Sequence, residues 1–155
     1  MNSRADDLGH LSMLELFRVE AESQATALTS GLLELERGPE VRSQKSEAGP
    51  TASDLRPLTS VLECLMRAAH SLKGAARIVN LPTAVRVAHV MEDVFVAAQE
   101  GRVRLSRPHI DVLLRGVDLL LQISKCSEAT LPAWEQEQAL HPPPSLFHHG
   151  HEKCY

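Results

Sequence analysis

Ala68-Ala69-His70-Ser71-Leu72-Lys73-Gly74-Ala75-Ala76 lies inside a long helical pattern, and its reading governs the rest of the chain. At about 100° per residue, Leu65, Ala69, Leu72, Ala76 and Val79 fall on one stripe, which needs a core to face. His70 falls roughly 140° from the centre of that stripe, on the outer face. Lys73 and Arg77 lie on the same side, and Gly74 follows His70 one turn on. A plain core helix has no use for an imidazole, cations and a residue without a side chain on its open face. A glycine inside a helix costs about 1 kcal/mol relative to alanine, so Gly74 calls for a reason other than helix stability.

Apolar periodicity extends this helix to about residues 54–79, with Asp54 as its expected N-cap, Pro57 in its first turn and Asn80 as its stop. Upstream, Leu14, Phe17, Ala21, Leu28, Leu32 and Leu35 recur at helical spacing and mark a first helix over 10–36. Ser12 and Glu15 have the spacing of a capping box at its start, and Gly38-Pro39 ends it. Downstream, Ala84, Val87, Ala88, Met91, Phe95 and Ala98 define a third helix over 82–100, followed by Gly101. Ser106 caps a fourth, with Pro108 in its first turn and Ile110, Leu113, Leu114, Val117, Leu120, Leu121 and Ile123 on its buried face. This helix is expected to fray near Ser124–Ser127. A short fifth helix is expected from Thr130 to Leu140, carrying Trp134, before His141-Pro142-Pro143-Pro144 breaks it. No strand pattern appears. The expected fold is all-α: an antiparallel up-down four-helix bundle over 10–126 with a short fifth C-terminal helix at 127–141. A flexible leader (1–9), a mobile linker (38–53) and a disordered tail or linker start (142–155) complete the expected organisation.

Composition narrows the function. Hydrophobic residues make up 43% of the 155-residue chain and aromatics only 3%, so the core is built from aliphatic side chains, which suits packed helices. A formal net charge of -4 argues against nucleic acid as the main partner, because phosphate backbones attract basic surfaces. No apolar run approaches the roughly 20 residues that span a bilayer. The polar N-terminus does not read as a secretory signal. Cys64, Cys126 and Cys154 form an odd set without CxxC spacing and read as reduced thiols of a cytoplasmic protein.

The third helix offers a partner for His70. Val85, His89, Glu92 and Val96 share a stripe beside the apolar one, which puts His89 and Glu92 near the helix–helix seam. Antiparallel packing of helices two and three would bring Glu92 towards His70. A carboxylate accepting from one ring nitrogen fixes the tautomer and leaves the other nitrogen unprotonated, as a nucleophilic histidine requires.

His70-Ser71-Leu72-Lys73-Gly74 is similar to the His-x-x-Lys-Gly signature of histidine-containing phosphotransfer (HPt) domains. The resemblance extends to the CheA-type branch of chemotaxis histidine kinases through Ala68-Ala69, through Ala88-His89-Val90-Met91-Glu92 and through Gly101. Within that branch the stretch from Leu72 to Gly101 looks closest to the Wsp-type hybrid sensor kinases. Two features depart from the pattern: Asn80, where the family usually has glycine, and the long 38–53 linker. The resemblance implies that His70 carries a phosphoryl group received from a histidine kinase domain and passes it to an aspartate of a response-regulator receiver. It further implies that Glu92 holds the opposite ring nitrogen, Lys73 stabilises phosphoryl oxygens, and His89 joins the polar network. Gly74 would leave room for a docking partner, with Arg77 and Arg67 as rim cations. No cofactor is expected in the chain itself, since ATP and Mg belong to the partner kinase domain. No glycine-rich nucleotide loop is present, so the chain reads as a phosphocarrier, either free-standing or the N-terminal piece of a histidine kinase. The alternatives are a non-catalytic helical adaptor and a metal-binding bundle using His70, His89 and Glu92. No structural metal is expected, and the tail histidines have nothing to fold them into a site.

Overall fold

The computed structural model of the chain describes residues 12–37, 52–126 and 129–140. The expected leader, the linker up to residue 51 and the tail lie outside the described residues. All regular structure among the described residues is helical: α1 (Met13–Arg37), α2 (Ala52–Ile78), α3 (Pro82–Gln99), α4 (Arg107–Lys125) and α5 (Leu131–Leu140).

α1 begins at its capping box. The Ser12 amide donates to Glu15 Oε2 at 2.6 Å, and the Glu15 amide donates to Ser12 Oγ at 3.2 Å. Two backbone donors that a helix start leaves unpaired are thereby satisfied. α2 departs from expectation at its start. It begins at Ala52, so Asp54 lies inside the helix rather than capping it, and Pro57 is beyond the first turn. Proline's fixed φ near -65° is itself helical, which lets a helix run through it at the loss of one hydrogen bond.

The ends of α2 and α3 close in the same way. Asn80 sits at φ 56 and Gly101 at φ 72. After α2, the Asn80 amide donates to Arg77 O at 3.1 Å and the Leu81 amide to Ala76 O at 2.9 Å. After α3, the Gly101 amide donates to Ala98 O at 3.1 Å and the Arg102 amide to Ala97 O at 2.9 Å. These are paired Schellman closures that turn the chain sharply. Asparagine tolerates the left-handed region better than other side-chain-bearing residues, so Asn80 serves where a glycine would.

The helices form an up-down bundle with neighbours antiparallel. α2 packs most extensively on α3, α1 lies between α2 and α4, and α3 meets α4 along a smaller seam. The direction of each pair follows from its contacts. Near the start of α1, Arg18 Nε donates to Ser124 O at 2.8 Å near the end of α4, whereas Glu36 at the other end of α1 pairs with Arg107 at the start of α4. A side chain on Gly31 of α1 would meet Leu65 of α2 at 2.7 Å, so the glycine permits these helices to approach closely. The core joins Phe17, Leu28 and Leu32 of α1 to Leu65 and Leu72 of α2, Met91 and Phe95 of α3, and Leu113 and Leu120 of α4. Leu114, Leu121, Leu35, Val79 and Ala98 lie at the edge of that core, half-buried.

α4 ends within the stretch Ser124–Ser127 where fraying is expected, of which Ser127 lies outside the described residues, but Ser124 itself is not frayed. α4 continues through Lys125, and Ser124 is fully buried, its Oγ donating to Leu121 O at 2.8 Å. α5 packs through Leu131 and Trp134 and is tied to the start of α3. The Glu135 carboxylate accepts from Thr83 Oγ1 at 2.6 Å and from the Thr83 amide at 3.3 Å. Leu81, the residue ahead of α3, supplies no side-chain cap, so this acidic side chain from elsewhere fills that role. Among the described residues, no helix is long and apolar enough to cross a membrane.

Candidate functional site

The tight turn between α2 and α3 sets Glu92 opposite His70 across the seam. Glu92 Oε1 lies 2.7 Å from His70 Nδ1, and Glu92 Oε2 accepts from Lys73 Nζ. The Glu92 and Lys73 side chains are 17% and 15% exposed, whereas the His70 ring is 69% exposed. One carboxylate thus bridges a sheltered ammonium and an open imidazole. Burial alone would push the Glu92 carboxyl up. The hydrogen bonds from Lys73 and His70, with the charge beside it, more than offset that and hold it below its usual range. An ionised carboxylate can only accept, so Nδ1 is the nitrogen that carries the proton in the neutral His70 ring, and Nε2 is then the one with the free lone pair.

α1 supports the same turn of α2. Ser71 Oγ donates to Glu20 Oε1 at 2.6 Å, and Gln24 Nε2 donates to the same oxygen at 3.0 Å. His70 is therefore held by α3 through its own ring and by α1 through the next residue. Sequence reasoning passed over this anchor. The available signal was the Glu20–Gln24 pair, one turn apart on the first helix at the border of its apolar stripe.

The remaining candidates divide. A shallow depression beside the ring is lined by Met66, Arg67, His70, Ser71 and Glu92. Gly74 is exposed, and a side chain there would meet nothing within 4 Å, so no packing within the bundle requires the glycine. Arg67 and Arg77 are exposed on the same helix. Lys73 does not share the open face with Arg77, as the helical wheel suggested, because its long stem carries the ammonium over to Glu92. His89 does not join the network. Its ring is 58% exposed, and Nε2 lies 3.5 Å from Asp93 Oδ2 one turn along α3. From His89, Glu92 is displaced by about 60° in one direction and Asp93 by about 40° in the other, so the nearer carboxylate is the local one. Both Glu92 oxygens are already engaged. The metal-binding alternative required His70, His89 and Glu92 together, and His89 is not brought to the other two.

Residues 12–123 match the Hpt domain family. The chain belongs to that family. It is 32% identical over 115 residues to the Sensor histidine kinase CheAY of Helicobacter pylori, an overlap covering 74% of this chain and 12% of that protein. It is 26% identical over 117 residues to the Chemotaxis protein CheA of Borreliella burgdorferi, covering 76% of this chain and 12% of that one. A Gliding motility regulatory protein of Myxococcus xanthus is 32% identical over 84 residues, covering 54% of this chain and 11% of the relative. The chain therefore spans about an eighth of the length of the CheA-type kinases it matches. No solved structure gives a significant match. The Hpt domain match takes in the whole seam that joins His70, Lys73 and Glu92, so the residues carrying the geometry are those carrying the likeness.

Proposed function

We propose that this Hpt domain is the phosphoryl carrier of a two-component phosphorelay, with His70 as phosphoacceptor. The observation that carries this reading is the His70 Nδ1–Glu92 Oε1 contact of 2.7 Å on a ring that stays 69% exposed. The Nε2 lone pair attacks the γ-phosphorus of ATP held by a kinase domain. The bond from that phosphorus to the bridging oxygen breaks, and ADP leaves. The ring gains positive charge as the N–P bond forms, and the Glu92 carboxylate on Nδ1–H stabilises that charge. In the next transfer an aspartate oxygen of a receiver domain attacks phosphorus, and the N–P electron pair returns to Nε2. Lys73 keeps Glu92 ionised and oriented. Gly74 and Arg77 belong to the face on which partners dock.

The reading assigns ATP and Mg to the kinase domain and none to this chain. It requires a kinase domain and a receiver as partners, needs no nucleic acid, and fits a cytoplasmic site of action, where ATP is available. Incubation with a CheA-type kinase domain and labelled ATP is expected to give an acid-labile, alkali-stable label that His70→Gln abolishes. Label persisting in that variant would remove His70 from the reaction.

A further inference from the structure

The two residues one turn to either side of His70 are cations, and they occupy opposite flanks. On a helix, position i+3 is rotated by about 60° one way from position i, and i-3 by about 60° the other way. Lys73 is on the α3 side, where its ammonium is sheltered and committed to Glu92 Oε2. That carboxylate holds the Nδ1 edge of the ring through its other oxygen, so Lys73 stands behind the imidazole. Arg67 is on the opposite flank. It is exposed, it lines the depression beside His70 with Ser71, and no carboxylate among the described residues pairs with it. His70 and Arg67 line the same depression, which Met66, Ser71 and Glu92 complete.

We propose that Arg67, rather than Lys73, is the cation that meets the phosphoryl group on His70 Nε2. This rests on the reading of His70 as phosphoacceptor and adds a division of labour to it. Lys73 serves the protonated edge of the ring through Glu92, and Arg67 serves the nucleophilic edge directly. A guanidinium suits that place. It stays charged, presents several donors in a plane that matches phosphoryl oxygens, and among the described residues is not held by an acidic group. In attack on phosphoramidate, the Nε2 lone pair forms the new N–P bond, the donor's own P–N bond breaks, and ammonia leaves. Arg67 gathers the oxygens of the transferred group throughout.

The test uses the full 155-residue chain and phosphoramidate as a small donor, so that no partner protein's docking enters the rate. Arg67→Gln is expected to lower the labelling rate of His70, or shorten the lifetime of the label, by about two- to fivefold, the range of an exposed ion pair. Arg67→Lys should recover part of the loss, and added salt should narrow the gap between parent and Arg67→Gln. Arg115→Gln, an exposed cation on α4, is the charge control and should behave as the parent. Nitrogen-detected NMR of the His70 ring should show the same Nδ1 protonation in Arg67→Gln as in the parent, which separates loss of the phosphoryl contact from loss of the Glu92 bridge. An Arg67→Gln chain with parental rate and parental label lifetime would overturn the proposal while leaving His70 as acceptor. A parent that takes no label on His70 would overturn both.

Discussion

Among the described residues, two histidines have a carboxylate within reach, and only one of those pairs crosses between helices. His89 and Asp93 sit one turn apart on α3, both more than half exposed, at 3.5 Å. His70 and Glu92 come from different helices, at 2.7 Å, with Glu92 sheltered and bound a second time by Lys73. The local pair follows from helical spacing alone and is open to water, which screens it. The cross-helix pair exists only when the bundle is folded, so the packing of α2 on α3 fixes the orientation of the ring. Exposure does not distinguish the two imidazoles, since both are exposed. What distinguishes them is whether the carboxylate behind the ring is itself held.

The largest effect that tests this contrast comes from the carboxylates. Glu92→Gln is expected to slow phosphorylation of His70 by about 10- to 100-fold, the range found when the carboxylate behind a ligand histidine is lost. Asp93→Asn should leave the rate within about twofold, as for a surface substitution outside the site. The measurement is the initial rate of labelling by a CheA-type kinase domain, with circular dichroism to show that both variants are folded. Equal rates for Glu92→Gln and the parent would erase the distinction drawn between the two pairs.

Much of this was legible in the residues before any coordinates. The apolar stripes defined four bundle helices because Leu, Val and Ala recur at 3.6-residue spacing with proline, glycine or asparagine near the ends, and the Ser12–Glu15 box marked a start to the residue. Glu92 could be placed near His70 because a tight turn between antiparallel helices leaves little freedom in register. Helical spacing places Lys73 on the open face with Arg77, yet a lysine stem spans more than one wheel position. The family likeness implies a network role for His89, yet that ring has a nearer carboxylate one turn on. The Ser71–Glu20 and Thr83–Glu135 contacts join residues 51 and 52 positions apart, and no local pattern carries such pairings. The burial of Ser124 was hidden because a serine reads as polar, although its hydroxyl is satisfied within its own helix.

A smaller effect tests what lies one turn past each ring. After His89 that position is Asp93; after His70 it is Gly74, beside which a side chain would meet nothing within 4 Å. Gly74→Ala should therefore stabilise the bundle by about 0.5–1 kcal/mol, measured by urea unfolding, because alanine is the better helix former and nothing is displaced. The same variant should slow transfer to a receiver domain while leaving phosphoramidate labelling of His70 at the parental rate. Destabilisation by Gly74→Ala would show that the glycine serves packing after all.

Acid offers a gentler way to loosen the His70 pair. The Glu92 carboxyl lies below its usual value of about 4.5 in the folded chain. The bridge therefore contributes its full stability above that value, where the carboxylate is ionised in both folded and unfolded chains. That contribution falls away as pH drops through the lower folded value. Urea unfolding of the parent and of Glu92→Gln should converge as pH falls through this window and stay apart above it. A constant gap across the whole range would mean that Glu92 contributes by packing rather than by charge.

The smallest expected effect is the one on which the family likeness and the geometry disagree. The His-x-x-Lys-Gly likeness implies that His89 belongs to the polar network, while its ring stands 58% exposed against Asp93. If the geometry governs, His89→Ala removes an exposed local pair, changing unfolding free energy by no more than about 0.5 kcal/mol and labelling of His70 by no more than about twofold. If the likeness governs, the loss should approach that of Glu92→Gln, and a double variant should lose less than the product of the two single losses, because both residues would act through one network. Independent effects on rate, with His89→Ala near the parent, would confine the working part of α3 to Glu92. That outcome would make the second histidine of the motif a surface residue in this chain, since the carboxylate that could have recruited it is already bound on both oxygens.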